Sequence, residues 1–318
     1  MIDAARPRPP LLVIVGPTGS GKSELALEVA EAIDGEIVSA DAFAVYRGLD
    51  IGTDKPSAAA RRRVRHHLID IADPRQRFSA GHFVAAATAA IDDIRARGAV
   101  PMVAGGTHFY VRALLLGLFE SPPSDAALRA RLAAEWDADP VRTAGRLRAV
   151  DPAAAARIRA SDRQRVLRAL EVWEATGVPI SEHWRRHEPR PSYRALIAAP
   201  LRERRDLYAR IDSRVDDMFS RGLEEEVTRI LASGVPVSAH ALKAIGYAQV
   251  VQVLSGRGDR STAIELTKQA SRRLAKRQLT WLRSLREGAL EWVAPVEQGG
   301  AAAVIARWMG YTGEACEP

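Results

Sequence analysis

The stretch Leu11–Ser23, LLVIVGPTGSGKS, constrains the fold more than any other part of this 318-residue chain. Five apolar residues run into Gly16, Pro17, Thr18, Gly19, Ser20, Gly21, Lys22 and Ser23, and the periodic stretch Glu24 to Ala32 that follows reads as a helix. Strand, glycine loop, Lys-Ser and helix in that order form a phosphate-binding loop pattern. Glycines let successive backbone N–H groups turn inward on an anion. The helix N-terminus adds unpaired donors and the positive end of its dipole. Lys22 supplies a mobile positive charge for phosphate oxygens, and the Ser23 hydroxyl suits a magnesium ion. The loop alone therefore specifies a polyphosphate, with ATP or GTP the usual occupant, and leaves open what is done to it.

Two more strand ends are expected at the same place. Glu36–Ala40 reads as a second buried strand ending at Asp41, and Val100–Ala104 as another that runs into Gly105, Gly106 and Thr107. Ligands of open α/β sheets lie beyond the carboxyl ends of the strands, so Gly16, Asp41 and Gly105 should converge on one crevice. A turn or cap role is the lesser alternative for Asp41. Residues 41–56 read as a polar, glycine-punctuated binding loop. Leu68–Asp73 looks like a short strand whose Asp70 could support magnesium, and Phe78–Arg97 is an amphipathic helix ended by Gly98.

Composition shifts at Ser121-Pro122-Pro123, and from Ser124 to about His187 only helical patterns occur. Asp151-Pro152 is a helix start and Gly177-Val178-Pro179 a stop. Arg194–Ala199 then returns as a core strand. The expected architecture is an α/β core of parallel strands over 11–120 and 192–311, with an all-helical insertion over 121–191. Residues 1–10 and 312–318 read as disordered tails. Leu201–Ser233 reads as helical and very basic at its start, where Arg210 and Arg214, four apart, share a face. A final helix carries the aromatic-basic run Lys276, Arg277, Trp281 and Arg283.

A net charge of +7 and a pI near 9.9 favour a polyanionic partner, although scarce Lys beside abundant Arg and Ala also fits a biased genome composition. The single cysteine, Cys316, excludes an internal disulfide and a Cys-based zinc site. No apolar run reaches membrane-spanning length and MIDAARPRPP lacks a secretory h-region. A cytoplasmic protein without a membrane partner is expected.

Together these motifs resemble one family. GPTGSGKS, the strand ending SAD, VYRGLDIGTDKP, HHLIDIADP, GGTHFY, DRQRVLRALEVWEATG, IGYAQV and AKRQLTWLR, in this order and spacing, are similar to the tRNA dimethylallyltransferases along nearly the whole chain. The resemblance implies a P-loop NTPase-like core with a helical insertion and Mg²⁺ as cofactor. It further implies dimethylallyl diphosphate as donor, and as acceptor N6 of adenosine 37 in the anticodon stem-loop of tRNA. The loop would then hold the donor's diphosphate, with Thr18, Lys22, Arg210 and Arg214 neutralising the leaving group and Ser23 near the metal. Asp41 would be the base that holds N6. Asp41, Ala42, Phe43, Ala44, Thr107, Arg129 and the Gln164, Arg165, Val166, Leu167, Arg168 segment would contact tRNA.

Departures from the family pattern are local. Ala42 and Ala44 stand where the family usually has Ser and Gln, and Ser161 where Asn is expected. Two hydrogen-bonding groups are thus missing beside Asp41, with Phe43 available for stacking. A P-loop small-molecule kinase using Asp41 as base is the alternative, and a non-catalytic RNA-binding protein a third. An Arg-rich insertion is superfluous for a small acceptor, and intact Lys22, Ser23 and Asp41 argue for chemistry. The chain is read as a monomer.

Overall fold

Five consecutive residues with no exposure, Leu11–Val15, mark the strand on which the rest is built. A strand buried on both faces belongs in the middle of a parallel sheet. In the computed structural model, which describes residues 8–119, 125–286 and 288–313, that strand is β1 (Pro10–Val15). It is followed by α1 (Lys22–Ala32), β2 (Gly35–Ser39), α2 (Ala58–Arg63), β3 (His66–His67), α3 (Ala80–Ala96), β4 (Val100–Gly105) and α4 (His108–Leu116). Five helices come next: α5 (Ala126–Ala138), α6 (Pro140–Val150), α7 (Pro152–Arg157), α8 (Arg163–Thr176) and α9 (Ile180–Arg186). The chain returns through β5 (Arg194–Pro200), α10 (Arg204–Ser220), α11 (Leu223–Ala232), α12 (Tyr247–Leu254), α13 (Arg260–Arg283), β6 (Glu291–Val293) and α14 (Gly300–Gly313).

The six strands form one sheet in the order β3-β2-β4-β1-β5-β6, and every pairing is parallel. Because β2, β4 and β1 are neighbours, their carboxyl ends lie side by side. Leu12 and Ile14 pack with Leu25, Val29, Val304 and Trp308 of α1 and α14, while α3 packs on β2 and β4. A second core joins α10, α11 and α12 to the 43–51 stretch, with Tyr46, Leu49, Phe219, Leu223 and Tyr247 almost fully buried. Each such side chain contributes about 1.5–3 kcal/mol.

The chain divides into two compact units, one formed by residues up to Leu115 together with those from Ser192 on, the other by Leu116–Pro191. The second unit is helical throughout its described residues and has its own core of Leu132, Trp136, Leu147, Leu170 and Ile180. Asp125, Asp139, Asp151 and Asp162 each accept backbone N–H bonds at the starts of α5 to α8, the substitution of side chain for missing helical partner that Asp provides. The Ser121-Pro122-Pro123 signal and Cys316 lie outside the described residues, as do most residues of both expected tails.

One reading is corrected and two features are added. Leu68–Asp73 is not a strand: Leu68 and Asp70 adopt φ of 63° and 60°, left-handed values that no ladder accepts. Only His66–His67 pairs with β2, and Ala72 forms an isolated bridge with Tyr46. Asp70 is bound to Lys55 at 2.5 Å and Arg61 at 3.0 Å, which ties it back to the preceding 55–61 stretch. The basic stretch 201–233 breaks at Arg221-Gly222, where Gly222 takes φ 92° between α10 and α11. The short edge strand β6 has no counterpart in the sequence reading.

Candidate active site

Beyond the ends of β1, β2 and β4 lies a cavity of about 410 Å³ built wholly from the sheet-bearing unit. Its polar side is lined by Thr18, Lys22, Ser23, Asp41, Asp54, Lys55, Gly105, Gly106, Arg214, Arg277 and Gln278. An apolar wall is supplied by Ile211, Val215, Met218, Ala244, Ile245 and Leu274. The three expected strand ends do meet here.

The glycine loop is fixed from outside by arginines on its carbonyls. Arg202 Nε donates to Ser20 O at 2.9 Å and Arg210 Nε to Gly19 O at 3.1 Å. Arg214 Nη1 donates to Thr18 Oγ1 at 2.5 Å, and its Nε lies 3.1 Å from Asp54 Oδ2. Arg214 therefore faces the cavity, whereas Arg210 does not line it and braces the loop. Thr18, Lys22 and Ser23 reach the cavity. Gly16, Pro17, Gly19, Ser20 and Gly21 form the turn behind them, and Ser20 is 1% exposed, its hydroxyl turned toward Gly16. Desolvation pushes Lys22 below the usual lysine range, and the neighbouring Arg214 charge adds to it. Asp41, Asp54 and Glu24 pull the other way. A cation held this way is primed for an incoming anion.

Asp41 also shapes its own loop. Its Oδ1 accepts the N–H groups of Phe43 at 2.8 Å and Ala44 at 3.0 Å, and Thr107 Oγ1 accepts that of Ala42 at 3.0 Å. Oδ2 has no hydrogen-bond partner among the described residues. The Asp41 carboxylate and the Thr107 hydroxyl thus hold the 41–44 backbone in place without the missing Ser and Gln side chains. Phe43 lines the cavity and stacks on His240 at 5.7 Å and 14°.

Gln278 of α13 was missed by motif reasoning. Its Oε1 accepts from Thr18 N at 3.0 Å while Nε2 donates to Gly106 O at 2.8 Å, joining the two glycine loops. A Cβ on Gly105 would stand 2.2 Å from Ala40 O, so the strand ends close only with glycine there. Glu226, 3% exposed, accepts from Asp50 N, Ile51 N and Tyr247 Oη and pins the 41–56 loop from below. Burial, with Glu226 beside it, pushes the Tyr247 phenol far above its ordinary value. His108, 8% exposed, stacks on Trp281 at 4.3 Å; burial and the Lys22 charge push it down to about 4.

The remaining expected contacts lie in the helical unit. Val166 and Leu167, expected at tRNA, are 1% and 8% exposed and belong to its core, since they fall on the inner face of α8. Gln164 and Arg165 are exposed. Arg129 and Arg168 converge on the 4%-exposed Glu171 at 3.0 and 2.9 Å. Burial opposes ionisation of Glu171, but the two guanidinium groups outweigh it and hold the carboxyl below its usual range.

A parallel sheet with a glycine loop after β1 and a carboxylate after β2 gives the chain an α/β fold of the P-loop type. The model of the IPP transferase family matches residues 44–285. A tRNA dimethylallyltransferase 1 of Trichlorobacter lovleyi is 46% identical over 292 residues, 90% of this chain and 94% of that one. The tRNA dimethylallyltransferase of Thermomicrobium roseum is 45% identical over 92% and 88% of the two chains. A crystal structure of the tRNA isopentenylpyrophosphate transferase of Bacillus halodurans superposes with a TM-score of 0.69 at 34% identity, covering 96% and 97%. A eukaryotic dimethylallyltransferase solved acting on tRNA gives 0.79 at 26% identity, covering 93% and 77%. The chain belongs to the IPP transferase family. No helix among the described residues is long and apolar enough to cross a membrane.

Proposed function

We infer that this protein is a tRNA dimethylallyltransferase. It transfers the dimethylallyl group of dimethylallyl diphosphate to N6 of adenosine 37 and releases pyrophosphate. The observation that carries the reading is one cavity with the phosphate loop, Asp41 and an apolar wall on its lining. A diphosphate, an amine nucleophile and a five-carbon chain need those three surfaces.

Displacement at the allylic carbon forms a C–N6 bond and breaks the C–O bond to diphosphate, leaving negative charge on the departing oxygens. Lys22, Arg214 and the Thr18 hydroxyl are placed to neutralise that charge as it builds. N6 of adenine is a weak nucleophile that acquires positive charge in the step. Asp41 Oδ2 accepts a hydrogen bond from it and takes the proton. Base help of this kind is worth roughly 10²–10⁴ in rate, and alignment of the two reactants up to about 7–11 kcal/mol. Reaching a stacked base requires extruding it, at a cost of a few kcal/mol.

Among the described residues no group of three His, Cys, Asp or Glu could hold a metal. Mg²⁺ commonly binds through one or two protein oxygens plus phosphate and water, and the exposed Ser23 hydroxyl on the cavity wall fits that mode. When bound, Mg²⁺ neutralises the diphosphate. Gln164 and Arg165 on the helical unit and the 41–44 loop with Thr107 on the other are the assigned tRNA contacts.

Asp41→Asn tests the base. Asparagine keeps an oxygen for the Phe43 and Ala44 N–H groups but cannot take a proton. Turnover should fall roughly 10²–10⁴-fold with tRNA affinity within a few-fold. Equal losses in affinity and rate would make Asp41 a recognition residue.

A further inference from the structure

Asp54 is placed with more care than a solvated acid requires. It sits at φ 54°, a left-handed conformation that costs a non-glycine residue energy. The turn around it is closed by Asp54 N donating to Ile51 O and Lys55 N to Asp50 O. Glu226 and Tyr247 grip Asp50, Ile51 and Gly52, and Lys55 Nζ, with its side chain 2% exposed, holds Tyr46 O, Asp50 and Asp70. All this presents Asp54 Oδ2 at 3.1 Å from Arg214 Nε while Arg214 Nη1 holds Thr18. The Asp54 side chain is 48% exposed and that of Arg214 27%, and an ion pair so wet adds little to stability.

We propose that Asp54 is a positioning residue: it orients the Arg214 guanidinium toward the leaving diphosphate and thereby acts on the chemical step. The inference rests on the diphosphate occupying the phosphate loop. The hydrogen bond to Thr18 and the ion pair with Asp54, on two separate loops, hold the guanidinium from two sides, so that its charge stands ready where negative charge develops. Asp54 itself repels the diphosphate. It weakens the ground state of the bound donor slightly and improves the transition state, the combination that raises kcat instead of lowering KM.

The signature separates this role from a structural one. Asp54→Ala should lower kcat about tenfold to a hundredfold, the scale of a small misplacement of a catalytic group. Binding of inorganic pyrophosphate, followed by calorimetry with Mg²⁺, should be unchanged or tighter. Asp54→Asn, which keeps the shape but loses the charge that pairs with the guanidinium, should lose about as much kcat as Asp54→Ala, while Asp54→Glu should recover part of it. Adding Asp54→Ala to Arg214→Ala should cost nothing further, because the first residue acts through the second. Pyrophosphate binding that weakens in step with kcat would overturn the proposal and make Asp54 part of the binding site. An unaltered kcat, or full additivity with Arg214→Ala, would also overturn it. Failure of the wild-type protein to bind pyrophosphate or form a prenyl adduct would instead remove the functional reading beneath it.

Discussion

Lys22 shows how a single residue couples stability to function. Its desolvation and the Arg214 charge set its pKa below the ordinary 10.5 in the folded, ligand-free protein. The unfolded chain therefore holds that proton more tightly, and stability gains from Lys22 as pH rises through the interval between the folded and unfolded values. At neutral pH the charged group is a cost, accepted for the sake of the anion. Lys22→Met should accordingly raise the unfolding midpoint of the ligand-free protein at pH 7 while removing pyrophosphate binding. In the wild type, kcat/KM for the donor should fall on an alkaline limb whose midpoint lies below 10.5, because loss of the ammonium proton removes a positive charge from the site. A midpoint at or above 10.5, or a destabilised Lys22→Met protein, would contradict the burial argument. Among single residues, Lys22, Ser23 and Asp41 were legible because each sits within a short motif. Arg210 was not, because spacing of four puts it on one helix face with Arg214 but says nothing of which side of the loop each reaches.

Elements explain the other successes and failures. The buried strands before Gly16, Asp41 and Gly105 announce themselves as apolar runs, and parallel order then brings their ends together. What sequence could not carry was pairing across long separations. Gln278 reaches Thr18 over 260 positions and Gly106 over 172, so α13 read as an aromatic-basic helix for RNA when its buried face serves the phosphate loop. Glu226 likewise holds Ile51 from 175 positions away. The resemblance carries Val166 and Leu167 to tRNA only as members of a contiguous segment. A helix of 3.6 residues per turn cannot turn five successive side chains outward. The bridge made by α13 predicts that Gln278→Ala strands the Thr18 N–H and the Gly106 carbonyl, at about 1–3 kcal/mol for each group left dry. Chemical denaturation should show a loss of that order, and KM for the donor should rise. Unchanged stability and KM together would mean that the two glycine loops hold their own geometry.

Across the whole molecule, the positive charge is less available than its total suggests. Arg129, Arg131, Arg146, Arg163 and Arg168 of the helical unit all engage carboxylates, so part of the arginine excess organises the protein. The unit with the sheet holds the phosphate loop, Asp41 and the apolar wall in one cavity, and the helical unit carries exposed Gln164 and Arg165 on a core of its own. That division makes a prenyl donor and a large acceptor the better match than two small reactants. The decisive measurement incubates the protein with Mg²⁺, dimethylallyl diphosphate and a tRNA transcript carrying adenosines at positions 36 and 37, followed by mass spectrometry of the digested nucleosides. The account predicts dimethylallyl on N6 of adenosine 37 with pyrophosphate released in equal amount and no requirement for ATP. An unmodified tRNA, with ATP consumed and its terminal phosphoryl group found on another acceptor, would contradict it.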